Sequence, residues 1–289
     1  MIKQVLEEKI KEYSINSVID QENVLQELVQ QYVLASLSRA GFFSHGQAVF
    51  QGGTCLRIVY GMSRFSEDLD FFLKRPDPDF RWQKYLDVIT RNGAREGFHF
   101  DVLDKPKRET PVKKTFLRTD SIGRVLLLEL PFDRDTRKLI KVKLEIDTNP
   151  PMGSGYETRY VTFPVTAAMT TQTLESGFGM KLSALLARGY AKGRDWYDFI
   201  WYTNKKIVPD LDLLRNALNQ HGPWAGHSLD VDPDWVLESM KRRITELDWD
   251  AARQDVQRFL PLREQESLKL WKRDFFLHYL DIFSQHLVR

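Results

Sequence analysis

From Asn23 to Arg39, apolar residues recur at Val24, Leu25, Leu28, Val29, Tyr32, Val33 and Leu37. That three-and-four spacing predicts an amphipathic helix, with Asp20 as a candidate cap and Gly41 as its stop. A short strand is predicted at Ala48 to Phe50, running into Gly52-Gly53-Thr54. Cys55, Leu56, Ile58, Val59 and Tyr60 then resume helical spacing until Gly61. Ser66 to Leu73 predicts a second strand and Arg81 to Gly97 another helix. Six Lys or Arg residues between 105 and 118, with Pro106 and Pro111, predict a basic loop leading toward further strand structure. Val125 to Phe132 is a nearly continuous apolar run and Leu139 to Asp147 alternates, which predicts an antiparallel hairpin turning at Asp133 to Arg137 and ending at Asn149-Pro150-Pro151. After Pro164 the spacing becomes helical at Leu174 to Tyr202, Leu211 to Leu218, Trp235 to Leu247, Ala251 to Phe259 and Arg263 to Phe283.

The order of these elements predicts an α+β fold in which a small mixed sheet with flanking helices precedes an α-helical C-terminal lobe. The chain has 289 residues, enough for two lobes. The expected division is an N-terminal helical segment at 1–45, a catalytic domain at 46–165 and a helical C-terminal domain at 166–289. The 42 Lys and Arg residues nearly balance the 40 Asp and Glu residues, so overall charge neither demands nor excludes a nucleic-acid partner. Cys55 is the only cysteine, which excludes an internal disulfide framework. No run approaches the roughly 18 apolar residues of a membrane span, and MIKQVLEEKIKEY has no signal-type apolar stretch. A cytoplasmic protein with no membrane partner is expected.

The chemistry is concentrated in FQGGTCLRIVYGMSRFSEDLDFFL, residues 50 to 73. On a strand, successive side chains alternate between faces. Ser66, Asp68 and Asp70 therefore line one face while Leu69, Phe71 and Leu73 turn to the core. Two carboxylates held that close repel unless a cation sits with them, and their hard oxygens suit Mg²⁺, with Mn²⁺ as an alternative. Gly52 and Gly53 present side-chain-free backbone, and a helix starting near Thr54 offers unpaired N–H groups and a positive dipole end. Metal-binding aspartates facing a glycine-rich helix start describe a site for a nucleoside triphosphate and its metal.

The glycine pair, helix and Asp-Leu-Asp strand resemble the DNA polymerase beta-like nucleotidyltransferase superfamily. More narrowly, FQGGTCLRIVYGMSRFSEDLDF is similar to the signature of the AbiEii/AbiGii toxin family of nucleotidyltransferases. In that family a GGT-L segment, an aromatic-Gly pair, Arg-Phe-Ser and Asp-hydrophobic-Asp occur in this order. A second block, KLSALLARGYAKGRDWYDFIWY at 181 to 202, is similar to the family's lysine motif and its Arg-Asp-x-x-Asp motif, with a slightly stretched spacing around Gly189 to Gly193. The resemblance implies a polymerase beta-like core completed by the helical lobe. It also implies a toxin paired with an antitoxin in phage defence, transferring a nucleotide from an NTP to RNA, in characterised relatives the tRNA 3′ end. An acceptor hydroxyl on a protein or small molecule is the rival reading, and a non-catalytic nucleotide- or antitoxin-binding module is a further one.

The superfamily supplies a third carboxylate from a neighbouring strand. In KVKLEID both Glu145 and Asp147 qualify, Asp147 favoured by its place at the strand end. Lys181 is the expected triphosphate contact and Asp198 the functional aspartate of the last motif, as metal or substrate contact or as base. Asp195 is expected to pair with Arg188 or Arg194. Thr54 and Ser66 complete the nucleotide-binding set with Gly52 and Gly53, and Arg57 and Arg64 flank it, either toward phosphate or holding the turn. The six histidines show no metal-ligand spacing. Candidate nucleic-acid contacts are Lys105, Lys107, Arg108, Lys113, Lys114, Arg118 and the run Lys241-Arg242-Arg243.

Overall fold

The computed structural model describes residues 2–44, 47–104, 111–119, 132 and 139–287. They form two compact units, Met1–Pro150 with Thr158–Thr171, and Pro151–Glu157 with Gln172–Arg289.

The first unit begins with α1 (Ile2–Lys11) and α2 (Val18–Arg39), followed by β1 (Ala48–Gln51), α3 (Gly52–Tyr60) and β2 (Asp68–Leu73). Then come α4 (Gln83–Arg95), β3 (Asp101–Asp104), β4 (Val112–Thr119) and β5 (Ile140–Asp147). The chain crosses between the units after Pro150, again within β6 (Tyr156–Val161) and a last time at the end of β7 (Ala167–Gln172). The strands form a seven-stranded mixed sheet in the order β3-β4-β5-β2-β1-β7-β6. β2 lies antiparallel to β1 and parallel to β5, so the Asp-Leu-Asp strand is central and its register is fixed from both sides. A one-residue slip would turn Leu69 and Phe71, which are buried, to the other face.

α2 starts earlier than its apolar spacing predicts. Its cap is Ser17, whose hydroxyl accepts the Asp20 N–H at 3.0 Å, while Asp20 sits in the first turn and accepts the Asn16 N–H at 3.1 Å. In this early turn Asp20 and Gln21 are buried while Val18 and Ile19 are exposed, so it does not fit the apolar spacing that marks the rest of the helix. The segment predicted as a basic loop is in part β4, antiparallel to β5 from Val112↔Asp147 to Thr119↔Ile140. Alternation is present there, but two of its three inward positions are threonines, Thr115 and Thr119 beside Leu117, so it does not read as apolar. The antiparallel partner of β5 is thus 112–119. The run 125–132 lies outside the described residues apart from Phe132, as does the turn at 133–137.

The second unit contains α5 (Leu174–Ala187), α6 (Gly193–Asn204), α7 (Leu211–Gln220), α8 (Pro233–Glu246) and α9 (Trp249–Gln257). A short α10 (Leu262–Gln265), a 3₁₀ turn (Glu266–Leu270) and α11 (Arg273–Leu287) follow. The predicted single helix at 174–202 is two. Arg188 ends the first in extended geometry, and Gly193 opens the second so close to α9 that a Cβ there would lie 1.8 Å from the Ala252 carbonyl oxygen. The predicted span 263–283 is likewise broken, by the 3₁₀ turn and the buried Trp271. Aromatic rings knit the core: Phe178 stacks on Tyr202 at 4.6 Å and Trp249 on Phe276 at 3.9 Å. Among the described residues no helix is long and apolar enough to cross a membrane.

Candidate active site

In the first unit, β1 runs without a loop into α3, so the helix begins at Gly52 and not near Thr54. Gly52 adopts φ +79°, and a Cβ there would lie 2.7 Å from Asp70 Oδ2. At Gly53 a Cβ would lie 2.5 Å from Arg64 Nη2 and 3.0 Å from Ser66 Oγ. The left-handed φ of Gly52 favours glycine there, both glycines sit against the side-chain ends of β2 and its preceding turn, and the amino end of α3 opens directly beside the β2 carboxylate. Thr54 is fully buried and its hydroxyl donates to the Asp68 carbonyl oxygen, so it ties α3 to β2 and presents no side chain outward. Cys55 is buried in the core, as expected.

Asp68 and Asp70 are partly exposed, flanking the buried Leu69. Across the parallel ladder, Asp68 pairs in register with Lys143, Asp70 with Glu145 and Phe72 with Asp147. Glu145 is thus the acid alongside Asp70. Asp147 lies one pleat further and accepts the Asn149 N–H at 2.9 Å. Lys143 Nζ lies 3.2 Å from Asp68 Oδ2 and 2.5 Å from Glu145 Oε1, and Lys114 Nζ approaches the same Glu145 oxygen at 2.8 Å from β4. Burial would push the Glu145 carboxyl up, but Lys114 and Lys143 outweigh it and hold it below its ordinary range. Burial would likewise lower the Lys143 ammonium, and Glu145 with Asp68 reverses that. Among the described residues no group of three or more His, Cys, Asp or Glu side chains is arranged as a ready metal cage.

The turn that delivers β2 is held by α2, through residues that sequence reasoning missed. Gln26 Nε2 donates to the carbonyls of Lys141 at 2.9 Å and Glu67 at 3.3 Å, and Gln30 Nε2 to that of Ser66 at 2.9 Å. Glu27 accepts from Arg57 Nε at 2.8 Å and from the Tyr13 hydroxyl at 2.9 Å, which burial, then Glu27, makes a still weaker acid. Arg57 in turn donates to the Met62 and Ser63 carbonyls, so of its two expected roles the geometry shows the holding of the turn. The available signal was a helix whose polar residues sit among its apolar positions.

In the second unit, Lys181 on α5 reaches two aspartates of α6, with Nζ 2.6 Å from Asp195 Oδ1 and 2.8 Å from Asp198 Oδ2. Asp195 and Asp198 are both buried. Arg188 Nε lies 3.4 Å from Asp195 Oδ2, whereas Arg194 pairs with Asp255 at 3.5 Å. Of the two arginines expected for Asp195, the one found is Arg188. Burial would raise the Asp195 carboxyl, but Lys181, Lys192 and Arg188 hold it far below the usual range. Burial lowers the Lys192 ammonium, with Asp195 opposing and the neighbouring cations adding to the shift.

Of the basic candidates, Lys105, Lys107 and Arg108 lie outside the described residues. Lys114 is engaged by Glu145, Arg118 by Asp101 at 3.8 Å, and Arg243 by the Leu185 and Tyr190 carbonyls.

A sequence profile described as "Nucleotidyl transferase AbiEii toxin, Type IV TA system" matches residues 33–278. The fold is similar to that of JHP933 from Helicobacter pylori, at 17% identity and TM-score 0.54 over 92% of this chain and 93% of that one. It is also similar to MenT4, a nucleotidyltransferase toxin from Mycobacterium tuberculosis, at 19% identity and TM-score 0.53 over 96% and 98% of the two chains. Among curated proteins, none matches the chain.

Proposed function

The chain belongs to the AbiEii nucleotidyltransferase toxin family of type IV toxin–antitoxin systems, and on that premise we propose that it transfers NMP from an NTP to an RNA hydroxyl, at a tRNA 3′ end, and so blocks translation. The observation that carries the site assignment is the contact of Gly52 and Gly53 with Asp70, Ser66 and Arg64. It makes the amino terminus of α3 and the β2 carboxylates a single surface. Phosphate oxygens bind at that helix end, where backbone N–H groups and the dipole favour negative charge.

Asp68 and Asp70 would hold Mg²⁺, and Glu145 is the third acid in reach by register, ahead of Asp147. The donor set fits: these are hard oxygens on one strand face, and the Lys143 ammonium already lies 3.2 Å from Asp68 as a stand-in cation. The lack of a complete protein cage suits magnesium, which is ordinarily held by one or two carboxylates plus substrate phosphates and water. When bound, Mg²⁺ supplies neutralisation of phosphate charge and a lowered pKa for the attacking hydroxyl. The acceptor hydroxyl gives up its proton to solvent as its oxygen forms a bond to the α-phosphorus, the bond to the bridging oxygen breaks, and pyrophosphate leaves with that electron pair. The chain contributes positioning: α2 fixes the turn before Asp68, and Gly52 fixes the approach to Asp70. Lys181 and Asp198, in the second unit, form their own buried ion-pair cluster, and a nucleotide role for that lysine is the family's expectation, tested by the NTP affinity of K181A.

Incubation with each of the four α-³²P NTPs and total cellular RNA tests the proposal. Label entering tRNA-sized RNA is the expected result. Label entering only protein or small molecules would replace the acceptor, and nucleotide binding without any transfer would replace catalysis by recognition. The antitoxin partner follows from the family. Its identity is a matter for neighbouring genes.

A further inference from the structure

Lys143 is a cation built into the carboxylate site. Side chains in register on adjacent strands and on one face stand about 4.8 Å apart, so the Asp68↔Lys143 pairing directs this ammonium at the Asp-x-Asp pair. Its head bridges Asp68 at 3.2 Å and Glu145 at 2.5 Å, and the side chain remains 28% exposed. Lys114 holds Glu145 from the far side. Three carboxylates, Asp68, Asp70 and Glu145, thus share one sheet face with two ammonium groups. The flexible four-carbon stem of a lysine lets such a head move within its surroundings, so it can leave Asp68 when another cation takes that carboxylate.

We propose that Lys143 is a displaceable internal counter-ion, which occupies Asp68 while no divalent cation is present and competes with that cation when one arrives. The proposal rests on reading Asp68 and Asp70 as metal-holding residues. Its consequence is a site of deliberately weak affinity for the metal alone, filled when nucleotide phosphates add their own oxygens to the coordination. Lys143 is a positioning residue in this sense and touches no reacting atom.

The test is Mn²⁺ binding to nucleotide-free protein, followed by electron paramagnetic resonance, for the wild type, K143Q, K143R and D70N. Removing the competing charge in K143Q should tighten Mn²⁺ binding at least about tenfold, where a structural role would leave it unchanged. K143R, which keeps the charge, should stay near the wild type. Metal-free K143Q should also melt below the wild type and recover with Mn²⁺. Affinity in K143Q equal to or below that of the wild type, with binding lost in D70N, would overturn the inference and leave the metal site standing. Binding unaffected by D70N would overturn the reading of the metal site itself. Should K143Q not fold, K143A makes the same comparison.

Discussion

Each unit contains a lysine bridging two carboxylates, yet the two arrangements differ in burial. In the first, Lys143, Asp68 and Glu145 have side chains 28%, 34% and 19% exposed. In the second, Lys181 is 14% exposed and Asp195 and Asp198 are 4% and 0%. Near solvent, ion pairs are worth little and their partners exchange readily. Out of solvent, loss of one partner strands a charge, so the arrangement becomes a fixed part of the fold. The difference separates a cluster suited to exchanging cations from one suited to holding two helices in register.

The largest effect should come from breaking the buried cluster. K181A removes the cation that bridges Asp195 and Asp198, leaving Asp195 with Arg188 and Lys192, and should cost about 3 kcal/mol, measured by urea unfolding. A stability equal to the wild type would show that the aspartates relax toward solvent. By contrast, D70N should cut transfer by on the order of 10²-fold or more while unfolding changes by less than about 1 kcal/mol. Large destabilisation in D70N would place the β2 carboxylates among structural residues and erase the contrast.

Acid should sharpen the comparison. Asp195 has a folded-state pKa below its ordinary 3.8, so its stabilisation is present above that value and lost as pH falls toward the folded one. Glu145 is shifted the same way from 4.5. Wild-type stability should therefore decline below about pH 4, and D195N should flatten that decline. An equally steep decline in D195N would assign acid sensitivity elsewhere. The smallest effect is expected from Q30A, which removes the Gln30 bond to the Ser66 carbonyl: about 1 kcal/mol of stability, with a fall in kcat larger than the change in KM. An unaltered kcat would mean the Ser66–Asp68 turn holds its geometry without α2.

Legibility in the sequence followed the range of the contacts. Gly52, Gly53, Asp68 and Asp70 were readable because strand alternation and a glycine-rich helix start are local signals, and α3, β1 and β2 followed from them. The choice between Glu145 and Asp147 was not, because both share one face of β5 and only the β2–β5 register separates them. Lys143 was hidden for the same reason: a lysine in an alternating strand is indistinguishable from a solvated one until its neighbour is known. Gln26, Glu27 and Gln30 were passed over because buried polar residues interrupt the apolar pattern used to find helices. The break at 188–192 was missed because apolar spacing resumes after it, while Gly193 reports a close approach to α9 that no local rule encodes.

The central claim is that the β2 carboxylates beside the amino end of α3 are where nucleotide and metal meet. A crystal grown with Mn²⁺ and a non-hydrolysable NTP, examined by anomalous scattering, tests it most directly. The account predicts an anomalous peak between Asp68 and Asp70, triphosphate oxygens against the Gly52 and Gly53 backbone, and the Lys143 head withdrawn from Asp68. Manganese bound away from β2, or a triphosphate that leaves the α3 terminus untouched, would contradict it.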